Sequence, residues 1–263
     1  MDKYRNYINS ARQDVVENNY ARNHREMTLE LVKEKKEKWL SFTKGEYSIK
    51  EVLSLVNTLI DDSDPDVEVE NTIHAFQCAE KIRKDYPNED WLHLTALIHD
   101  LGKVLSVWGE PQHFVVGDTY VMGCKFSNDI VFSNYFRENP DFSNKEYNTK
   151  YGIYKKKCNL SNLTMSWGHD EYLYRVLEYN KCTLPEQCLQ IIRYHSFYPW
   201  HRDGAYKYLI SDKDNKELLP ILKKFSHYDL YSKTDDVPDC EKLWEDYYAP
   251  LCEKYGISGK LKW

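Results

Sequence analysis

The chain has 263 residues, enough for one large or two small domains, and its 41% hydrophobic content with 22 Tyr and 7 Trp excludes a disordered polymer. With 36 Lys and Arg against 42 Asp and Glu the net charge is −6, so no basic field is available to hold nucleic acid or an anionic membrane surface.

The amino terminus, MDKYRNYINSARQD, lacks the apolar core of a secretory signal, and no run approaches the roughly 18 apolar residues of a membrane span. Seven Cys without C-x-x-C spacing read as free thiols, which sets the expectation of a reducing, cytoplasmic location. Residues 11–40, with KEKKEK at 33–38 and sparse apolar positions Leu29, Val32 and Trp39, predict a solvated helix with one narrow buried stripe. Ser48 and Glu51 have capping-box spacing ahead of Val52, Leu53, Val56, Leu59 and Ile60, and the acidic turn at 61–66 stops that helix. Further helices are predicted over 71–84 and, uninterrupted, from Asp90 to Val107. Residues 109–125 bring Gly, Pro and β-branched residues and read as a small hairpin or irregular insert. Helices are expected to resume after Asn128 and then over 170–180. Another, over 184–196, is introduced by a Thr183–Glu186 capping box and closed by Pro199. Stretches 218–233 and 243–255 complete a mostly α chain with no linker or repeat to divide it.

His99 and Asp100 stand together in Ala-Leu-Ile-His-Asp-Leu-Gly-Lys, an imidazole and a carboxylate in an apolar helix, where buried charge needs a partner. An isolated His-Asp pair is more often a hydrogen-bonded core histidine than a ligand pair. Its company changes that: His74, His169, His195 and Asp229 each lie on or near a predicted helix with an apolar face. Four imidazoles and two carboxylates without a thiolate suit iron, manganese or zinc, and split over two ions they leave open positions for substrate.

The order His74, His99-Asp100, His169, His195, Asp229 resembles the HD-domain superfamily, and the flanking segments resemble one branch of it, the myo-inositol oxygenase family. These segments are SDPDVEVENTIHAFQCAE (63–80), HLTALIHDLGKVL (93–105), GEPQHFVVGDT (109–119), MSWGHDEY (165–172), RYHSFYPWH (193–201) and DLYSK (229–233). The resemblance implies an all-α, single HD-domain-like fold, with residues 1–45 as an amino-terminal helical segment and lid and 46–263 as the catalytic domain. It implies a mixed-valent Fe(II)/Fe(III) pair: His74, His99, Asp100 and Asp229 on one iron, His169 and His195 on the other, with Asp100 bridging. It implies that myo-inositol and dioxygen are converted to D-glucuronate and water by a monomer. Lys103 and Asp100 are then the expected catalytic residues, and Arg5, Asp61, Ser63, Lys103, Asp118, Ser196 and Lys233 the expected substrate contacts. Two alternatives stay open from the residues alone: an HD-type phosphohydrolase using the same metals to activate water, and a catalytically idle binding module, which would need missing ligands. The remaining His, at 24, 93, 113, 201 and 227, read as ordinary surface or capped residues.

Overall fold

The structure is a computed structural model that describes residues 7, 10–65, 70–232, 234 and 236–263. It bears out the all-α expectation. The helices are α1 (Gln13–Glu26), α2 (Leu29–Trp39), α3 (Ile49–Val56), α4 (Asn71–Asp85), α5 (Asp90–Ile98), α6 (Val104–Val107) and α7 (His169–Tyr179). After them come α8 (Glu186–Tyr194), α9 (Tyr198–His201), α10 (Asp212–Tyr231), α11 (Cys240–Leu243) and α12 (Ala249–Lys254). A two-stranded antiparallel sheet pairs β1 (Glu46–Tyr47) with β2 (Leu261–Lys262).

Local chemistry sets several of these boundaries. α3 starts on the expected capping box: Glu51 N–H donates to Ser48 Oγ, and Ser48 N–H donates to the Glu51 carboxylate at 2.6 Å. It stops at Val56, short of the apolar stripe, and Ile60 is exposed. The charged stretch 11–40 is two helices rather than one, separated where Thr28 caps α2 by accepting Leu31 N–H. α1 is also less solvated than its composition predicts. Its Asn19, Asn23 and His24 are buried, and Asn23 bonds His113 O at 2.5 Å and the Tyr120 hydroxyl at 2.7 Å. A loop carbonyl and a hydroxyl satisfy Asn23, and Phe132 O accepts His24 Nδ1–H, a complement that hydrophobic periodicity does not register.

The expected continuous helix from Asp90 to Val107 is broken. α5 ends at Ile98, Asp100 sits at φ −95°, ψ 0°, and a 3₁₀ turn over Leu101–Lys103 leads into α6. Gly102, just past the break, packs against the first residue of α7, where a Cβ would lie 2.1 Å from His169 O, so only glycine admits this approach. Residues 109–165 take the irregular form of the insert, with 3₁₀ turns at Gln112–Phe114, Ser133–Glu138 and Pro140–Ser143 in place of helices after Asn128. Thr183 and Glu186 form no capping box. α8 begins after Pro185 without a side-chain cap, and Thr183 N–H bonds Tyr255 O instead. Pro199 does not close α8, which ends at Tyr194, but lies in the first turn of α9. α10 starts earlier than expected, capped by Ser211, and continues through Pro220. Near the carboxyl terminus the expected helix over 243–255 is α11 and α12 joined by a π turn at Trp244–Tyr248.

α5 is buried on every side from Leu92 to Ile98, the mark of a central helix. α4 packs along it, α7 packs on α8, and α10 lies against both α8 and α4. One contiguous apolar cluster, from Val32 and Trp39 to Leu222 and Phe225, joins these helices. Their inner ends converge on the kink at His99–Asp100.

Candidate metal centre

All six predicted ligands meet at that convergence. His99 Nε2 lies 3.2 Å from Asp229 Oδ1, and His74 Nε2 lies 3.3 Å from the same oxygen. Across the kink, His169 Nε2 is 3.2 Å from His195 Nε2, and Asp100 Oδ1 stands 3.2 Å from the first and 3.4 Å from the second. Asp100 faces both sides, because its Oδ2 is 3.6 Å from His99 Nε2 and 2.7 Å from Lys103 Nζ. Within the described residues these atoms form overlapping groups: His74, His99 and Asp229; His99, Asp100 and His195; and His169, Asp170 and His195.

The imidazoles are aimed by the backbone. Nδ1–H of His99 donates to Ala96 O at 2.7 Å, that of His169 to Val115 O at 2.6 Å, and that of His195 to Ile192 O at 2.9 Å. Such bonds fix the tautomer and leave each Nε2 lone pair facing inward, the usual arrangement of a histidine ligand. Asp229 is held likewise, its Oδ2 accepting the Tyr198 hydroxyl at 2.9 Å while Oδ1 faces the histidines.

In the metal-free protein, protons take the place of a cation. Burial opposes the charged imidazole of His99, yet Asp100 and Asp229 outweigh it and hold the group up at about 9. His169, similarly opposed by burial and favoured by Asp170 and Asp100, is raised to about 10. Burial pushes Asp100 and Asp229 the other way, but Lys103 and the histidines hold Asp100, and His74 and His99 hold Asp229, well below the usual carboxylate range.

Asp170 is a site residue that sequence reasoning passed over. It is buried, and its Oδ1 lies 2.9 Å from His169 Nε2 and 3.6 Å from His195 Nε2. The available signal was His169-Asp170 itself, a second copy of the His99-Asp100 dipeptide. Among the predicted substrate contacts, Asp61, Ser63, Lys103 and Ser196 are at the centre. Lys103 Nζ is 2.8 Å from Asp61 Oδ2, and Asp61 Oδ1 accepts Ser63 N–H at 2.8 Å and Ser63 Oγ–H at 2.6 Å. Ser196 Oγ lies 3.4 Å from His169 Nε2. Asp118 accepts the Tyr20 hydroxyl of α1 at 3.0 Å, and its neighbour Thr119 donates its N–H to Ser196 O. Arg5 and Lys233 lie outside the described residues.

The chain matches the family model described as myo-inositol oxygenase over residues 13–263. The chain belongs to the myo-inositol oxygenase family. Among its curated relatives, an inositol oxygenase from Danio rerio is 48% identical over 99% of this chain and 93% of its own length. A probable inositol oxygenase from Oryza sativa subsp. japonica is 50% identical over 99% of this chain and 85% of its own, and an inositol oxygenase from Mus musculus 44% identical over 100% and 91%.

The myo-inositol oxygenase family implies a metal cofactor, and the residues fit one. A cation with bonds of about 2.1 Å spaces adjacent donors about 3.0–3.4 Å apart, close to the 3.2–3.4 Å separations among His169, His195 and Asp100. The donor set of imidazole and carboxylate is that of a borderline or hard dication. Of the other histidines, His227 is exposed as expected, but His24, His93, His113 and His201 are buried. Each has a partner: Phe132 O, Tyr86 O with the Tyr247 hydroxyl, Glu26 and His195 O respectively. Burial drives His24 down to about 3, so it is a neutral core residue stacked 4.0 Å from Phe136.

Proposed function

We propose that the chain is an inositol oxygenase whose centre holds two iron ions in the mixed-valent state and which converts myo-inositol and dioxygen to D-glucuronate and water. His74, His99, Asp100 and Asp229 would hold one ion, His169 and His195 the other, with Asp100 between them. When bound, the pair polarises the substrate diol and carries the oxygen chemistry. One atom of dioxygen enters the product and the other leaves as water, so the four-electron ring cleavage balances without a further reductant.

The chain's own residues bind and orient the polyol. Burial disfavours the Lys103 ammonium, but Asp100 and Asp61 together raise its pKa, so Nζ stays charged and acts as a donor. Two of its three N–H groups face those carboxylates at 2.7 and 2.8 Å, and the third is available to a substrate hydroxyl oxygen. Burial opposes ionisation of Asp61, and Lys103 and Ser63 overcome it, so Asp61 is an ionised acceptor for a hydroxyl proton. Asp118, Ser196, Ser63, Arg5 and Lys233 complete the proposed polyol contacts. The observation that carries this reading is the Lys103–Asp61 pair beside a complete set of metal donors in a chain of this family. A phosphate monoester is disfavoured at the same place, because the ion partners of Lys103 are both carboxylates.

Residues 1–45 are assigned as a segment that closes over the catalytic body 46–263. Supporting this, Arg12 Nη1 donates to Asp61 O at 2.7 Å and Asp64 O at 2.5 Å, gripping the loop that carries Asp61 and Ser63. The chain is assigned as a monomer, since the donor set lies within one chain, and as cytoplasmic, which fits its seven free cysteines. Among the described residues no helix is long and apolar enough to cross a membrane.

The test is dioxygen uptake by protein reconstituted with Fe(II) and a reductant, with product assayed as glucuronate. Uptake matched one to one by glucuronate and abolished by His99→Ala is expected. Uptake without glucuronate, or none with iron verified bound, refutes the assignment.

A further inference from the structure

Asp170 belongs to neither proposed ligand set, yet its carboxylate is among the most enclosed at the centre. Its side chain is 2% exposed, against 19% for Asp100 and 12% for Lys103. Its Oδ1 also lies 2.9 Å from His169 Nε2, on the inner side of the centre. Both its oxygens are engaged by Ser196: the backbone N–H donates to Oδ2 at 3.1 Å and the hydroxyl to Oδ1 at 3.0 Å. The carbonyl of Ser196 in turn accepts Thr119 N–H at 2.9 Å, which ties in the loop bearing Asp118. Asp170 is not the sole tie between α7 and the end of α8: its neighbour Glu171 accepts Arg193 Nε–H on Oε2 at 2.7 Å, which leaves Asp170 to the turn that carries Ser196.

We propose that Asp170 is a positioning residue for polyol binding, acting through Ser196. A carboxylate that accepts both the N–H and the hydroxyl of one serine fixes that side chain in a single rotamer and sets the turn after α8. Ser196 then presents its hydroxyl oxygen, its proton committed to Asp170, as an acceptor toward the substrate side of His169. The same clamp holds the 115–119 loop, through Thr119, in register with the end of α8. An Asn at 170 keeps the size but offers one carbonyl oxygen and an N–H₂ in place of two acceptors, so it cannot hold both Ser196 donors.

The inference rests on the polyol reading of the site. Asp170→Asn, Ser196→Ala and the double variant would be loaded with ferrous iron. Bound iron, KM and kcat for myo-inositol, and thermal melting of the metal-free proteins would then be measured. Each single variant is expected to bind the parent's iron complement and to raise KM about 10-fold, with kcat within about 3-fold of the parent. The double variant should be no worse than the worse single one, and the melting decrements of the metal-free proteins should likewise fail to add. Multiplying KM effects overturn the proposal, because Asp170 would then act apart from Ser196. Loss of iron with KM unchanged overturns it in favour of a direct metal donor. Should Asp170→Asn not fold, Ser196→Ala decides, and an unchanged KM overturns the proposal. Parent protein that binds iron but leaves inositol untouched sinks the polyol reading itself; coupled melting decrements would then reduce the pair to a structural clamp.

Discussion

His169 and His195 stand at facing ends of α7 and α8, each with Nδ1 on a backbone carbonyl, behind side chains 3% exposed. His74 and Asp229, on α4 and α10, are 13% and 12% exposed, and His74 Nδ1 is buried without a hydrogen-bond partner among the described residues. The His169–His195 half is therefore fixed by backbone and by the Glu171–Arg193 pair between its helices, while in the other half His99 is likewise fixed by Ala96 O but His74 faces Asp229, which is held by the Tyr198 hydroxyl. The difference teaches that similar donor sets need not bind alike. In the proposed centre the enclosed half would be shaped before metal binds, and the His74–Asp229 side would complete its geometry around the ion.

Replacing Asp100, the residue common to both halves, should erase the comparison. Asp100→Ala is expected to lose metal from both sides and at least about 10³-fold in activity, several kcal/mol of transition-state stabilisation. Stoichiometric metal in that variant, measured by elemental analysis, would refute the shared role. Gly102→Ala should break the enclosed half selectively, since the new Cβ would meet His169 O at 2.1 Å. Displacing the start of α7 should cost about 1–3 kcal/mol of stability and weaken metal binding at His169 and His195 while sparing His74 and Asp229. Melting and metal titration of the variant check this, and an unaltered titration counts against it. Tyr198→Phe is the converse, expected to weaken the open half about 10-fold and leave the other intact. A smaller effect, about 10-fold in inositol KM with metal content unchanged, is expected for Lys103→Ala, and identical kinetics would remove Lys103 from the substrate contacts.

The finest probe is pH. His99 and His169 have folded values of about 9 and 10, above the ordinary 6.5. The stability they lend to the metal-free protein is complete below pH about 6.5 and is lost as pH rises through about 9–10. Asp100 and Asp229, held low, contribute above the ordinary carboxylate value and lose their share only in acid. Melting temperature of the metal-free protein should fall between pH 6.5 and 10. Metal, which displaces the histidine protons, should bind more tightly over the same range. A flat melting profile would show that the two histidines are not charged in the folded chain.

Most of the candidate centre was legible because candidate donors stand out as polar residues in an apolar helix, as His99-Asp100 does between Leu97-Ile98 and Leu101. The kink at this pair was not. Leu101, Val104 and Leu105 keep helical spacing, and the close approach of Gly102 to His169 that accompanies the break is a contact between segments distant in sequence. Asp170 was hidden for a related reason, since a carboxylate whose partners are Ser196 and two histidines looks, in sequence, like an acidic residue in the first turn of a helix. The burial of Asn23 on α1 was missed, whereas the four buried histidines outside the centre answer to the capped half of their surface-or-capped reading. Their partners, such as Phe132 O for His24 and Glu26 for His113, come from segments distant in sequence. The broad fold survived these errors because the apolar stripes of α3, α7 and α8 are local and strong.

Gathering Asp61, Asp100, Asp170 and Asp229 at one place also bears on how much of the protein a cell keeps. A ligand at a hundred times its dissociation constant adds about 2.7 kcal/mol to folding, a large part of the roughly 5–15 kcal/mol by which domains are stable. Chains made while metal is scarce would spend more time unfolded and within reach of proteases. The lifetime of a newly made chain would then depend on metal supply as well as on the packing of its core.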